Sequence, residues 1–301
     1  MTYCGQRASF WRRATGVLAA VPLAALLLAP AAASAAPASP TASPVERAPP
    51  QVFLESLTWT ELRDAIAGGA TTALLPIGGT EQSGPAIALG KHNARVQLLS
   101  GRIAQALGNA IVAPVVSVVP EGNIAPPSGH MRFAGTMTVP ASVFEGQIQA
   151  MVASLEAAGF RDIVLLGDHG GYQDELQRLA QRLDRSAAPQ GHRVFAPAAY
   201  FRAASQGYAR LLHERGYRDD EIGSHAALAD TSMQLAADPA MVRQDVLRTA
   251  PHLDASMGVY GGDPRRASAE LGQLGLDLIV HDSVEAIRSD IALAHGKPAP
   301  R

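Results

Sequence analysis

Along residues 53–295, short apolar runs alternate with segments whose apolar positions recur at helical spacing. TTALLPIG (71–78), AIVAPVVSVV (110–119), DIVLLGD (162–168) and HRVFAPAAY (192–200) are β-branched, and their apolar stretches are unbroken by charge. Runs of this kind suit strands covered on both faces of a mainly parallel sheet. Between them, Val96, Leu99, Ile103 and Leu107 repeat with helical period, as do Phe144, Ile148, Val152 and Leu155, and then Leu176, Leu179 and Leu183. Strands alternating with helices of that length predict βαβ units and an α/β fold. Ser142 followed by Glu145 predicts a capping box at the start of the second helix, and Gly159 its C-terminal cap.

The first 35 residues depart from this pattern. Arg7, Arg12 and Arg13 precede an apolar stretch, Ala14–Leu28, and Ala33-Ser34-Ala35 offers a small-residue cleavage site, so residues 1–35 read as a secretory signal peptide. Pro22 and Pro30 interrupt the run and no basic stop follows, which argues against a stable membrane anchor. Residues 36–52 are rich in Pro, Ala and Ser and read as a linker, leaving residues 53–301 as one folded domain in an exported, periplasmic or secreted protein.

Composition narrows the function. With the leader removed, the formal charge moves from −2 to −5, because the leader carries three arginines and no acid; such a surface does not attract nucleic acid. The one cysteine, Cys4, lies within the leader, so stability must come from burial of a core rather than from disulfides. The glycines show neither dinucleotide nor P-loop spacing.

Two polar segments sit where chemistry is expected. In open α/β sheets ligands gather at the carboxyl ends of strands, and here TALLPIG runs into GGTEQ while DIVLLG runs into DHGG. Glu81 and His169 therefore face one crevice. A buried carboxylate beside an apolar strand needs a partner or a cation. Gly170 and Gly171 let the backbone turn and leave the His169 ring open, while Asp168 could orient a ring nitrogen or bind a cation itself.

Four segments carry a family resemblance. LPIGGTEQSGP (75–85), GHMRFAGTMTVP (129–140), GFRDIVLLGDHGGYQ (159–173) and HAALADTSM (225–233) follow one another in the order of the blocks that mark the creatininase, or creatinine amidohydrolase, family. The sequence is similar to that family over roughly residues 70–240. The resemblance implies a three-layer α/β/α fold with a mainly parallel central sheet. It also implies a divalent metal site at the strand ends, hydrolysis of a C–N bond in a small-molecule amide, and homo-oligomers that are often hexameric.

Departures from the family pattern bear on the metal. The resemblance assigns ligand roles to Glu81 and His169, but Ser83 stands at a ligand histidine, His92 at a bridging aspartate, and Gly171 at the glutamate of creatinine-cleaving members. A neutral imidazole directs one lone pair at a metal and cannot bridge two ions. What remains is Glu81, His92 and His169, a set of the type that holds catalytic zinc, so one Zn²⁺ per chain is expected. Asp168 and Asp230 are candidate extra ligands or orienters of the imidazoles.

His225 matches a family histidine that serves in proton transfer, and is expected to carry a proton to the departing nitrogen. His130 and Ser83 are expected to contact substrate. The departures also leave room for an exported metal- or solute-binding protein without turnover, and for a peptide amidase.

Overall fold

The computed structural model describes residues 51–296; the expected leader and nearly all of the expected linker lie outside these. Val52, placed at the end of that linker, already belongs to the fold. It is buried, and its carbonyl accepts a hydrogen bond from Val112 N at 2.7 Å.

Four parallel strands, β1 (Thr72–Ile77), β2 (Ala110–Val112), β3 (Asp162–Gly167) and β4 (Arg193–Phe195), form a sheet in the order β2-β1-β3-β4. β1 and β3 pair over their full length, Thr72 with Asp162 through Ile77 with Gly167, so both end at the same level. All twelve of their residues are buried. Successive side chains go to opposite faces. Leu74, Val164 and Leu166 join one core, and Leu75, Ile163 and Leu165 another.

Helices cover both faces. α1 (Trp59–Ala67), α3 (Ala141–Ala158) and α4 (Gln173–Ala187) close the second core through residues such as Leu62, Phe144, Ile148 and Leu176. α2 (Lys91–Leu107) packs on the other face. α5 (Ala198–Arg202) runs through a π-turn (Ala203–Gly207) into α6 (Tyr208–His213), followed by α7 (Asp219–Ile222), α8 (Leu228–Ala237), α9 (Gln244–Thr249) and α10 (Ala269–Ala294). α10 lies against α8 so closely that a Cβ on Gly272 would meet Ser232 O at 1.8 Å, which only glycine avoids. The result is the expected three-layer α/β/α architecture. No helix among the described residues is long and apolar enough to cross a membrane.

Three local expectations are corrected. The run 110–119 is a strand only to Val112, and continues as single bridges from Val116 to Ile77 and from Val119 to Thr138. Pro114 supplies no N–H to a ladder there. The run 192–200 is a strand over Arg193–Phe195, after which Pro197 caps α5. Ser142 does not cap α3, which starts directly after Pro140, and Glu145 instead pairs with Arg182 at 2.6 Å. Gly159 does end that helix, in the left-handed conformation with φ 108°.

Candidate metal and active site

The carboxyl ends of β1 and β3 are pinned together by Tyr172. Its hydroxyl donates to Ile77 O at 2.6 Å and accepts from the backbone N–H of Asp168 (3.1 Å) and of His169 (3.2 Å). Glu81, four residues past β1, and His169, two past β3, are thereby held above the sheet.

Two more groups join them. Glu121 follows the bridge at Val119, and its backbone N–H donates to Thr138 Oγ1 at 2.9 Å. His130 sits in a short 3₁₀ turn tied to the β1 loop through Thr136, which donates to His130 O (2.9 Å) and accepts from Gln82 N (3.0 Å). Gly79 makes room for this meeting, since a Cβ there would stand 2.9 Å from Glu121 Oε1.

Glu81, Glu121, His130 and His169 each present one ligand atom, all within 4.8 Å of one another. Oε2 of Glu81 lies 3.1 Å from His130 Nε2 and 3.2 Å from His169 Nε2, and Glu121 Oε2 lies 3.6 Å from the latter. None of these contacts is aligned as a hydrogen bond, so Glu81 Oε2 and both Glu121 oxygens are buried without one. Leaving buried carboxylate oxygens unpaired is costly, and a divalent ion among two carboxylates and two imidazoles removes that cost. The residues fit a metal on that ground. Ligation through Nε2 would put a hydrogen on Nδ1 of each imidazole, so the contacts to Nδ1 from Gly171 N–H at His169 (3.2 Å) and from Gln82 Nε2 at His130 (3.0 Å) would have to yield.

The electrostatics of the cluster are strongly perturbed. Burial, and next the charge of Glu81, push the Glu121 carboxyl up to about 9. Burial also works against ionised Glu81, but the Lys91 ammonium and the neighbouring imidazoles outweigh it and hold this carboxyl well below the usual range. His169 and His130 are both lowered, chiefly by burial.

The other expected ligands point elsewhere, and the anticipated Glu81, His92 and His169 set is not the one that converges. Nε2 of His92 lies 2.8 Å from Glu81 Oε1 and its Nδ1 lies 2.6 Å from Asp168 Oδ2, so both ring nitrogens face carboxylates. Asp168 is held by Arg95 at 2.8 Å and by the Tyr200 hydroxyl at 2.8 Å; it orients His92 rather than facing the cluster. Asp230 pairs with Lys91 and, at 2.6 Å, with Arg95. Burial would raise both aspartates, but Arg95 and His92 lower Asp168, and Lys91 and Arg95 hold Asp230 well down. Ser83 is buried and does not line the cavity at the site.

That cavity, about 460 Å³, is bounded by His130, His169, His225 and Lys91 on its polar side and by Phe201, Ile222 and Met233 on its apolar side. His225 precedes Ala226, whose φ of 54° is strained for a residue with a Cβ and is held by a 3.0 Å hydrogen bond from its N–H to Asp230. Nε2 of His225 lies 3.0 Å from Gln82 O and 3.1 Å from Gln82 Nε2, and the tautomer that donates from Nε2 to the carbonyl leaves Nδ1 as the acceptor, 3.5 Å from Lys91 Nζ. Burial and then the Lys91 charge push His225 down to about 3, so the ring is neutral at physiological pH. Tyr260 packs against its ring at 5.5 Å between centroids.

Glu121 escaped sequence reasoning, although it too is a carboxylate that follows an apolar run. It stands against His169 where Gly171, whose absent Cβ would lie 2.8 Å from the His169 ring, offers no side chain.

Comparison with known proteins gives a matching result. The family model for creatininase, described as creatinine amidohydrolase, matches residues 55–287. A sequence search of curated proteins found no match. Among solved structures, a tryptophan-to-alanine variant of creatininase shares 25% identity at a TM-score of 0.63, over 80% of this chain and 99% of that one. A manganese creatininase reaches a TM-score of 0.64 at 24% identity over the same shares. A glutamate-to-glutamine variant described as of Zn-Zn type reaches 0.62 at 22% identity, over 80% and 98%. With the matched segment running through every strand and every element that supplies the site, the chain belongs to the creatininase family.

Proposed function

We propose that this protein is a metal-dependent amidohydrolase that cleaves a C–N bond in a cyclic or small amide. The observation that carries the reading is the convergence of Glu81, Glu121, His130 and His169, with three carboxylate oxygens lacking a hydrogen bond, at the edge of a cavity. These four residues would hold the ion, and a mixed nitrogen and oxygen set suits Zn²⁺. When bound, a divalent ion supplies Lewis acidity toward an amide carbonyl and acidifies water.

The remaining work falls to the protein's own side chains. His225, on the lining of the cavity, would carry a proton from the attacking water to the leaving nitrogen. Tyr260 and Gln82 keep its ring in place. At 460 Å³ the cavity lies toward the small end of ligand pockets, which run from roughly 300 to 1,000 Å³, and so favours a small ring over a long peptide. Export rests on residues 1–35 alone, and assembly into homo-oligomers on the family resemblance; both are part of the proposal.

The test is an assay of the metal-loaded protein against creatinine, hydantoins, lactams and short peptide amides. Turnover of any of these that disappears on chelation and returns with metal supports the reading. Full metal occupancy with no turnover across the panel would instead favour the metal- or solute-binding reading.

A further inference from the structure

The ammonium of Lys91 sits inside a donor set that a metal would accept. Lys91 opens α2, and its side chain is fully buried. Its Nζ meets a carboxylate oxygen of Asp230, and lies 3.5 Å from Glu81 Oε1 and 3.5 Å from His225 Nδ1. Two carboxylates and an imidazole lone pair around one point are ligands for a divalent transition metal. A tethered ammonium holds the place instead.

Glu81 joins that place to the one described above. Its Oε2 faces His130 and His169, while its Oε1 faces Lys91, so one carboxylate spans two cation positions. Charge points the same way. Glu81, Glu121, Asp168 and Asp230 are four carboxylates in one buried cluster with two fixed cations, Lys91 and Arg95. When all four are ionised, the carboxylates outnumber these two fixed cations by two, before any charge on His92, which lies between Glu81 and Asp168. A second divalent ion would leave the cluster strongly positive in a low-dielectric interior, which is unfavourable.

We propose that Lys91 serves as a built-in second cation, which limits the centre to one divalent ion and shares Glu81 with it. The inference rests on the metal reading given under Proposed function. It assigns Lys91 a further task, since its ammonium faces Nδ1 of His225 and so favours a lone pair on that nitrogen.

The test counts ions. Wild type, Lys91→Ala and the double variant Lys91→Ala with Asp230→Asn are stripped with chelator, loaded with excess Mn²⁺, desalted and analysed for manganese per chain. Electron paramagnetic resonance then reports whether two ions are magnetically coupled. The expected result is one ion in the wild type, two coupled ions in Lys91→Ala, and a return to one in the double variant. If Lys91→Ala does not fold, Lys91→Met keeps the stem's volume, frees the same donors and carries the same expectation. A folded Lys91 variant holding no more metal than the wild type overturns the inference, as does a wild type that holds two tightly bound ions. A wild type with no ion refutes the metal reading instead, and the gain on removing Lys91 still decides this one.

Discussion

Glu81 and Glu121 are two buried carboxylates that approach the same atom, Nε2 of His169, at 3.2 and 3.6 Å. They come from different loops, one after β1 and one after the bridge at Val119, so the chain has folded two carboxyl groups toward one another. Folding alone gives no reason to do this. A cation between them does.

Glu121→Gln tests the pair directly. The amide matches the shape of a protonated carboxyl, so the metal-free protein should keep its fold and melt at or above the wild-type temperature. Zn²⁺ or Mn²⁺ affinity should fall by more than the roughly 10–100-fold seen when a group that only orients a ligand is removed. Titration calorimetry on both forms checks this, and an unchanged affinity would remove Glu121 from the ligand set.

The pH dependence of the metal-free protein follows from the same carboxyl. Glu121 is raised to about 9 in the fold, above its value in an unfolded chain. Between those two values the folded state holds a proton that the unfolded state has released, so this group's contribution to stability is full at acid pH and declines as pH rises toward 9. Thermal melts of stripped protein from pH 6 to 9 should therefore fall more steeply for wild type than for Glu121→Gln, and bound metal should remove the difference.

His225→Ala should retain metal and fold but lose about 10²–10⁴ in rate on any substrate that the wild type turns over, the range for a group that transfers protons. Elemental analysis alongside the kinetics separates this from loss of the ion. A variant as fast as wild type would end the role proposed for His225.

Arg95 is 3% exposed and bridges Asp168 and Asp230. Arg95→Met should destabilise by about 3–5 kcal/mol, because breaking a buried ion pair leaves a carboxylate uncompensated. Chemical denaturation measures this, and a loss below 1 kcal/mol would mean that Lys91, His92 and Tyr200 suffice to hold the two aspartates.

Export predicts a mature chain beginning at or within two residues of Ala36, just past Ala33-Ser34-Ala35. N-terminal sequencing of protein from its native host decides it, and an intact Met1 on soluble protein would refute the leader.

Much of this protein was legible in sequence for physical reasons. Strands buried on both faces must be apolar throughout, so TALLPI and DIVLLG announce themselves, and the residues just past them, Glu81 and His169, must stand at the sheet's functional edge. Gly159 could be read as a helix end because a left-handed cap suits glycine. The partners of each polar group could not be read. His92, Asp168 and Asp230 are the residue types that ligate metals, and only the packing of α2 against β3 and α8 brings Arg95 and Lys91 to pair with the two aspartates and turns His92 between Glu81 and Asp168. Glu121 reaches the site because its segment bridges to Ile77 and Thr138 and passes over Gly79, which stands more than forty positions earlier in the chain. Sequence determines which side chains are available at the strand ends. Which of them meet a cation, and which meet each other, was decided by tertiary structure, because a charge's partner depends on distance in space.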